Sequence, residues 1–365
     1  MAGESFLITG GAGFIGRHLA TELASHGAKV RILDSLVEQV HGSDAGPPEL
    51  PEGTEFIKGD VRDADAVRRA IEGVDGVFHL AAEVGVGQSM YEIDRYTSVN
   101  DLGTANLFQQ LIENPVRRVV VASSMSVYGE GLYINGNGEK VQPVRGSGWD
   151  PVGPNGEALT PAPTPEDKQP DLASVYALNK FVQERMSLIV AQAYGIEVTA
   201  LRLFNVYGPG QALSNPYTGV LAIFASRLAN GQRPMVFEDG NQRRDFVHVE
   251  DVARAFRLAM EVPEADGEVI NIGSGHSVTV TETAERLAAA MGRNDVAPLI
   301  TGEARRGDIR HCFADISRAR AVLGFEPRRS FDDSLGELAG WVASQQAVDR
   351  VESAAAELRA RGLVA

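Results

Sequence analysis

Phe6-Leu7-Ile8-Thr9-Gly10-Gly11-Ala12-Gly13-Phe14-Ile15-Gly16 decides the fold. The apolar run Phe6-Leu7-Ile8 reads as a buried strand, and helical periodicity begins at Ile15 and runs to Ala24. The glycines between them permit a tight turn, close backbone approach to a pyrophosphate, and close packing of helix on strand. The N-terminus of that helix then faces negative charge. Gly10, Gly13, Phe14, Ile15 and Gly16 are therefore the expected pyrophosphate contacts. Working outward, Val30-Arg31-Ile32-Leu33, Val77-Phe78-His79-Leu80 and Val119-Val120-Val121 read as further buried strands. Ala64 to Ile71 and Val99 to Leu111 read as the helices that cross between them. This alternation specifies an α/β fold with a doubly wound parallel sheet of Rossmann type. Asp34 follows the second strand, where a carboxylate accepts from the adenosine ribose hydroxyls and repels a 2′-phosphate. The next residue, Ser35, is no arginine, so NAD is expected over NADP.

The chain has 365 residues, 44% hydrophobic and 23% charged, enough for one large core or two smaller ones. A formal charge of -15 speaks against a general nucleic-acid or anionic-membrane surface, though clustered arginines can still make a local anion pocket. The single cysteine, Cys312, excludes an internal disulfide and fits a reducing compartment. No apolar stretch reaches the roughly 20 residues of a membrane span, and Met1 to Ser5 lacks the features of a signal peptide. The expected location is the cytoplasm. No metal-ligand pattern stands out.

Residues 1–206 are expected to form the dinucleotide-binding domain, interrupted from 130 to 172 by a stretch rich in Gly, Pro, Asn and Asp. That stretch can be neither a long helix nor a central strand, and its length suits a lid, a binding loop or a disordered insert. A long helix from about Ala173 to Ala193 and a strand from Val198 to Leu203 follow it. From Tyr207 the alternation becomes irregular, so residues 207–365 are read mainly as a smaller C-terminal substrate-binding lobe, part of which returns to the first domain. Arg350 to Leu363 reads as a final helix with a solvated face.

Tyr176-Ala177-Leu178-Asn179-Lys180 sets a phenol and an ammonium on one helix face. An ordinary phenol has a pKa of about 10, and bringing it toward neutrality takes on the order of 4 kcal/mol, which a nearby lysine together with the cofactor's positive nicotinamide can supply. Ser123-Ser124 closes an upstream strand and offers a hydroxyl to the same reacting oxygen. The expected catalytic set is Ser124, Tyr176 and Lys180.

Taken together, these segments resemble the extended branch of the short-chain dehydrogenase/reductase superfamily, and within it the NAD-dependent sugar-nucleotide epimerases. The opening glycine segment, Asp60-Val61, His79-Leu80-Ala81-Ala82, Asn100 and the Tyr176/Lys180 pair follow the family in order. The resemblance adds Asp60, Val61, Leu80, Ala81, Ala82 and Asn100 to the cofactor contacts. It also implies that Tyr176 exchanges the proton of a sugar hydroxyl, that Lys180 depresses its pKa and holds the nicotinamide ribose, and that Ser124 bonds the reacting oxygen. Ala122-Ser123-Ser124-Met125-Ser126-Val127-Tyr128-Gly129 bears on the reaction. Related 4,6-dehydratases place an Asp-Glu pair where Met125 and Ser126 stand, and related decarboxylases a Glu in place of Ser126. Small residues there suit epimerases.

For the substrate the resemblance implies Val86, Ser126, Asn205, Phe237, Arg244, Arg305, Asp308 and Cys312. Asn205 lies in Arg202-Leu203-Phe204-Asn205-Val206-Tyr207-Gly208-Pro209; Arg244 and Arg305 would grip a diphosphate, Asp308 a ribose, and Phe237 would stack on the base or fill the core. His248 and Asp251 read as structural. Cys312 occupies the position that gates the sugar pocket in UDP-galactose 4-epimerases, with inert core filling as the alternative. Glu83 to Tyr91, Ser214-Asn215-Pro216-Tyr217-Thr218-Gly219 and Gly307 to Cys312 resemble a subgroup that includes the dTDP-L-rhamnose 4-epimerases. Members of that subgroup often carry paired cysteines in a comparable insert, and this chain has none there. The expectation is an NAD-dependent nucleoside-diphosphate-sugar 4-epimerase, a homodimer by family habit. The alternatives are another sugar-nucleotide conversion, or a non-catalytic NAD- or RNA-binding relative.

Overall fold

The computed structural model describes residues 1–42, 46, 48–146, 148–213, 215, 217, 219–305, 307–345 and 351–364. At its centre is a parallel sheet of seven strands: β1 Ser5–Thr9, β2 Lys29–Asp34, β3 Glu55–Lys58, β4 Gly76–His79, β5 Arg118–Ser124, β6 Glu197–Leu203 and β7 Val269–Ile272. Their spatial order is β7-β6-β5-β4-β1-β2-β3. Order reverses between β1 and β4, so a crevice opens at the carboxyl ends of those strands. The central strands are continuous apolar runs because helices cover both faces of the sheet. β3, Glu55-Phe56-Ile57-Lys58, pairs only with β2 and has charged residues at both ends. That edge position explains why no buried apolar run announces it in the sequence.

Helices α1 Phe14–Ser25, α2 Ala64–Ile71, α3 Gly103–Glu113 and α4 Val175–Tyr194 cross between or flank the strands. Helix α3 does not begin at residue 99 as its periodicity suggests. A π turn, Ser98–Leu102, precedes it, and such turns recur where a helix must re-aim a side chain. Helix α4 starts where the Ser174 hydroxyl accepts from the Ala177 N–H and ends at Gly195 in the left-handed conformation, φ +70°.

The second half forms the lobe through α5 Val220–Ala229, α6 Val249–Glu261, α7 Val280–Ala290, α8 Phe331–Ala343 and α9 Val351–Ala360. Helix α6 packs on α1, and β7 joins the central sheet beside β6, so residues 249–272 belong with the first half of the chain. Phe224, Leu287, Leu335 and Leu338 centre a separate lobe core.

The 130–172 segment is an ordered antiparallel sheet of Leu132–Ile134, Lys140–Val141 and Thr160–Ala162. It docks on the lobe: the Thr164 amide donates to Phe313 O, and Arg145 pairs with Glu130 and Glu238. Turn residues dominate its composition because its strands are so short. Among the described residues, no helix is long and apolar enough to cross a membrane, and no cluster of His, Cys, Asp and Glu could hold a metal ion.

Candidate active site

A cleft of about 420 Å³ runs along the carboxyl ends of the central strands, a volume within the usual range for small-molecule sites. Gly10, Gly13, Phe14, Ile15 and Gly16 line one end of it. Gly10 sits at φ +69°, and a Cβ there would lie 2.8 Å from the Ala81 backbone. A Cβ on Gly16 would lie 2.6 Å from Gly11 O, so the turn can close only with glycine at both places. This cradle, opening onto the N-terminus of α1, is the observation that fits a dinucleotide pyrophosphate. Asp34 lines the cleft at the end of β2, its carboxylate held by the Ala12 and Leu36 amides at 3.0 and 2.9 Å. Leu36 adopts φ +53° to make its contact.

Asp60, Val61, Leu80, Ala81 and Ala82 also line the cleft. Sequence reasoning missed Arg62 and His41 beside them. Arg62 reaches Asp60 at 2.6 Å and holds its carboxyl below the usual range, while His41 approaches Asp34 at 3.8 Å. An arginine two residues after an aspartate and a histidine on the four-residue helix Glu38–His41 carry no recognisable sequence signal.

Asn100 is fully buried; its side-chain oxygen accepts from Glu83 N at 2.7 Å and its Nδ2 donates to Glu83 O at 3.1 Å, so it braces the backbone of the loop after β4.

At the other end of the cleft stand Ser124, Tyr176 and Lys180. Alternation along β5 separates the two serines. Ser123 points away and donates to Glu184 at 2.7 Å, within a buried pair that Glu184 makes with Arg202 at 2.7 Å. Ser124 faces the cleft; its Oγ accepts from the Ser126 hydroxyl at 3.0 Å and lies within hydrogen-bonding reach of the Tyr176 phenol. Tyr176 and Lys180 share the inner face of α4 with Gln183, Glu184 and Ser187. Lys180 donates to Ala122 O at 3.1 Å, and burial lowers its pKa to about 7. Burial pushes the Tyr176 phenol up to about 12, opposed only by the bond with Ser124. Within the chain alone burial outweighs the bond with Ser124, and the expected depression includes the positive nicotinamide of a bound cofactor.

The expected substrate residues divide. Asn205 lines the cleft and donates to Asp245 O at 2.9 Å. Ser126 reaches the site through Ser124. Val86 opens the short helix Val86–Ser89, outside the cleft lining. Phe237, Arg244, Arg305 and Asp308 gather in the lobe: Arg305 stacks over Phe237 at 4.6 Å and pairs with Asp308 at 2.9 Å, and Arg244 lies 3.7 Å from Asp308. Its two arginines hold the Asp308 carboxyl below its usual range despite burial. Cys312 is 1% exposed within the main core, its thiol against Thr164 and pushed up to about 12 by burial, which favours the core-filling alternative. Ser214, Pro216, Thr218 and Arg306 lie outside the described residues.

The model of the NAD dependent epimerase/dehydratase family matches residues 6–273. A dTDP-L-rhamnose 4-epimerase of Burkholderia thailandensis is 37% identical over 94% of this chain and 96% of its own. A dTDP-glucose 4,6-dehydratase of Streptomyces niveus is 29% identical over 93% of each. A solved UDP-N-acetylglucosamine 4-epimerase of Methanobrevibacter ruminantium, in complex with UDP-N-acetylmuramic acid, is 32% identical, covers 95% of this chain and 100% of its own, and superposes with a TM-score of 0.78. The chain belongs to the NAD dependent epimerase/dehydratase family. It is an enzyme family acting on sugar nucleotides with NAD as cofactor, within the extended short-chain dehydrogenase/reductases.

Proposed function

We propose that this protein is a nucleoside-diphosphate-sugar 4-epimerase working through transient oxidation at C4. The observation that carries this reading is the set of acids in the cleft. Its described carboxylates are Asp34, Asp60 and Glu83. Asp34 is held by backbone amides, Asp60 by Arg62, and Glu83 by Arg95 at 2.7 Å. Beside Ser124 stand Met125 and Ser126, neither of them an acid that could assist elimination of water, which favours proton transfer at one hydroxyl. Retention of Ser124, Tyr176 and Lys180 speaks against a non-catalytic relative.

The cradle of Gly10, Gly13 and Gly16 would hold the pyrophosphate of NAD, with Asp34 on the adenosine ribose and Lys180 at the nicotinamide end. When bound, NAD supplies the hydride acceptor and a positive ring charge that favours the phenolate. Tyr176 takes the proton from the sugar C4 hydroxyl and returns it after the keto-sugar has turned over. Ser124 bonds that oxygen and fixes its distance from the phenol. Lys180, anchored on Ala122 O, lies one helical turn from Tyr176 and would hold the nicotinamide ribose. A thymidine-diphosphate 6-deoxyhexose is the first substrate to try, given the Burkholderia relative.

We also propose a homodimer, supported by an outward stripe on α4. Leu178 is 46% exposed and Ile189 60%, and eleven residues of helix bring both to one face. Leu102, 57% exposed, lies on the π turn that packs against α4. The cytoplasmic location stays an expectation from composition.

The test is a panel of sugar nucleotides followed by proton NMR in deuterium oxide. Inversion at C4 with the product carbon still protonated is expected, and Tyr176→Phe should lower kcat at least 100-fold. Deuterium at the inverted carbon, or full turnover by Tyr176→Phe, would overturn the reading.

A further inference from the structure

Helix α9 and residues 361–364 after it lie outside residues 6–273, the part that the family model matches, yet they are packed on the rest of the chain. Ala354, Ala355 and Leu358 are buried, and the segment touches both walls of the main cleft. Toward the lobe, Arg359 pairs with Glu303 at 2.6 Å, and Val364 forms a β-bridge with Arg305, whose guanidinium stacks over Phe237. Toward the sheet, Leu358 comes down on Gly87, where a Cβ would lie 3.4 Å from its side chain. Arg361, held by Glu357 at 2.6 Å, stacks over the Tyr91 ring at 4.2 Å. Gly87 and Tyr91 belong to the loop after β4, which borders the chemistry. Glu83 and Val84 of that loop line the main cleft, and its Ser89 hydroxyl accepts from the Tyr176 N–H at 3.0 Å. The lobe meets the same loop directly: the Tyr91 and Tyr217 hydroxyls lie 2.6 Å apart, and a Cβ on Gly85 would lie 3.0 Å from the Tyr217 side chain. Residues 358–364 thus join Arg305 in the lobe to the loop that abuts the start of α4.

We propose that the C-terminal segment 351–364 sets the lobe against the catalytic end of the cleft, with Leu358 and Arg361 as positioning residues for the sugar nucleotide. This rests on the sugar-nucleotide reading above. A substrate gripped by the lobe and presented to Tyr176 at the sheet binds well only when those two walls stand at the right separation. Among the described residues, none from 351 to 364 lines the main cleft, so the segment acts through Gly87, Tyr91 and Arg305 and not on the reacting atoms. An exposed ion pair such as Arg359 with Glu303 ties weakly on its own. The buried Leu358 and the cation over the Tyr91 ring fix the other end of the tie. Because NAD is held by the glycine cradle on the far side of the sheet's crevice, the segment should govern the substrate and leave the cofactor alone.

The test is steady-state kinetics of the full-length enzyme on the sugar nucleotide it turns over in the panel above, with NAD affinity measured alongside by calorimetry. Leu358→Gln combined with Arg361→Ala should raise KM about tenfold or more, keep kcat within about threefold, and leave NAD affinity unaltered, the pattern of lost uniform binding. Arg361→Ala alone, at an exposed side chain that the fold does not need, should raise KM in the same direction. Arg361→Lys, which keeps a cation over Tyr91, should stay within about twofold of the unaltered enzyme. An unchanged KM in the double variant, or a fall in kcat without a rise in KM, would overturn the inference and leave the epimerase reading standing. Weakened NAD binding in step with the rise in KM would make the segment a stabiliser of the whole fold and overturn it equally. If the unaltered enzyme turns over no sugar nucleotide of the panel, the functional reading falls and this inference with it.

Discussion

Ser123 and Ser124 are neighbours of one chemical type with opposite fates. One hydroxyl closes a buried ion pair between Glu184 and Arg202, and the other faces the phenol of Tyr176. Ser124→Ala should therefore lower kcat by about 10- to 100-fold with little change in unfolding free energy. Ser123→Ala should do the reverse: it leaves the buried Glu184 oxygen short of a donor, at about 1–3 kcal/mol in urea unfolding, with kcat near that of the unaltered enzyme. Loss of kcat in both variants, or in neither, would refute the division. At this scale Ser124, Tyr176 and Lys180 were legible because strand and helix periods state which side chains share a face. The surroundings of Asn100 and Cys312 were not. Whether an amide braces the Glu83 backbone, or a thiol lies against Thr164, depends on partners distant in the chain.

Helix α4 carries two faces with separate duties. Its inner stripe, Tyr176, Lys180, Gln183, Glu184 and Ser187, is polar yet buried against β5. On its outer face Leu178 and Ile189 stand exposed, with Arg185 between them. Leu178→Asp combined with Ile189→Arg should convert a dimer to a monomer in analytical ultracentrifugation, because it sets unpaired charges where apolar surface would be buried. A variant that sediments as the unaltered protein does would refute the dimer face. Helix α4 was readable almost residue for residue, since long periodic segments announce themselves. The insert was readable only as something irregular: strands of two or three residues are too short to display a period, and their docking rests on Arg145, which looks like any surface arginine in the sequence.

The molecule as a whole buries several histidines as neutral rings. Burial drives His79 down to about 3, and His248 and His311 to about 4. In the unfolded chain such rings titrate near about 6.5. As pH falls below that value the unfolded state takes up protons that the folded state refuses, so the stability these groups contribute is present above pH 6.5 and lost on the way to pH 4. Each ring adds up to about 1.4 kcal/mol per pH unit to that slope. Urea unfolding at intervals from pH 7.5 to 5 should show stability nearly level at first and falling increasingly below about pH 6.5, and a profile flat throughout would contradict neutral burial. The doubly wound layout was plain from the alternation of apolar runs with periodic segments. The edge strand β3 and the pairing of β7 with β6 were not, because strand partners far apart in the chain leave no local mark.

β5 and β6 are adjacent in the sheet, and each gives rise to a wall of the substrate region. The insert follows β5, and part of the lobe, including α5, is the excursion from Leu203 out to the return of the chain at Val269. In topological terms both walls are oversized connections hung from neighbouring strands. Lengthening a connection costs little, about 0.6 kcal/mol for each doubling. The part of the molecule that chooses what enters can thus be rebuilt by exchanging loops, while the part that moves hydride keeps its glycines, its phenol and its sheet.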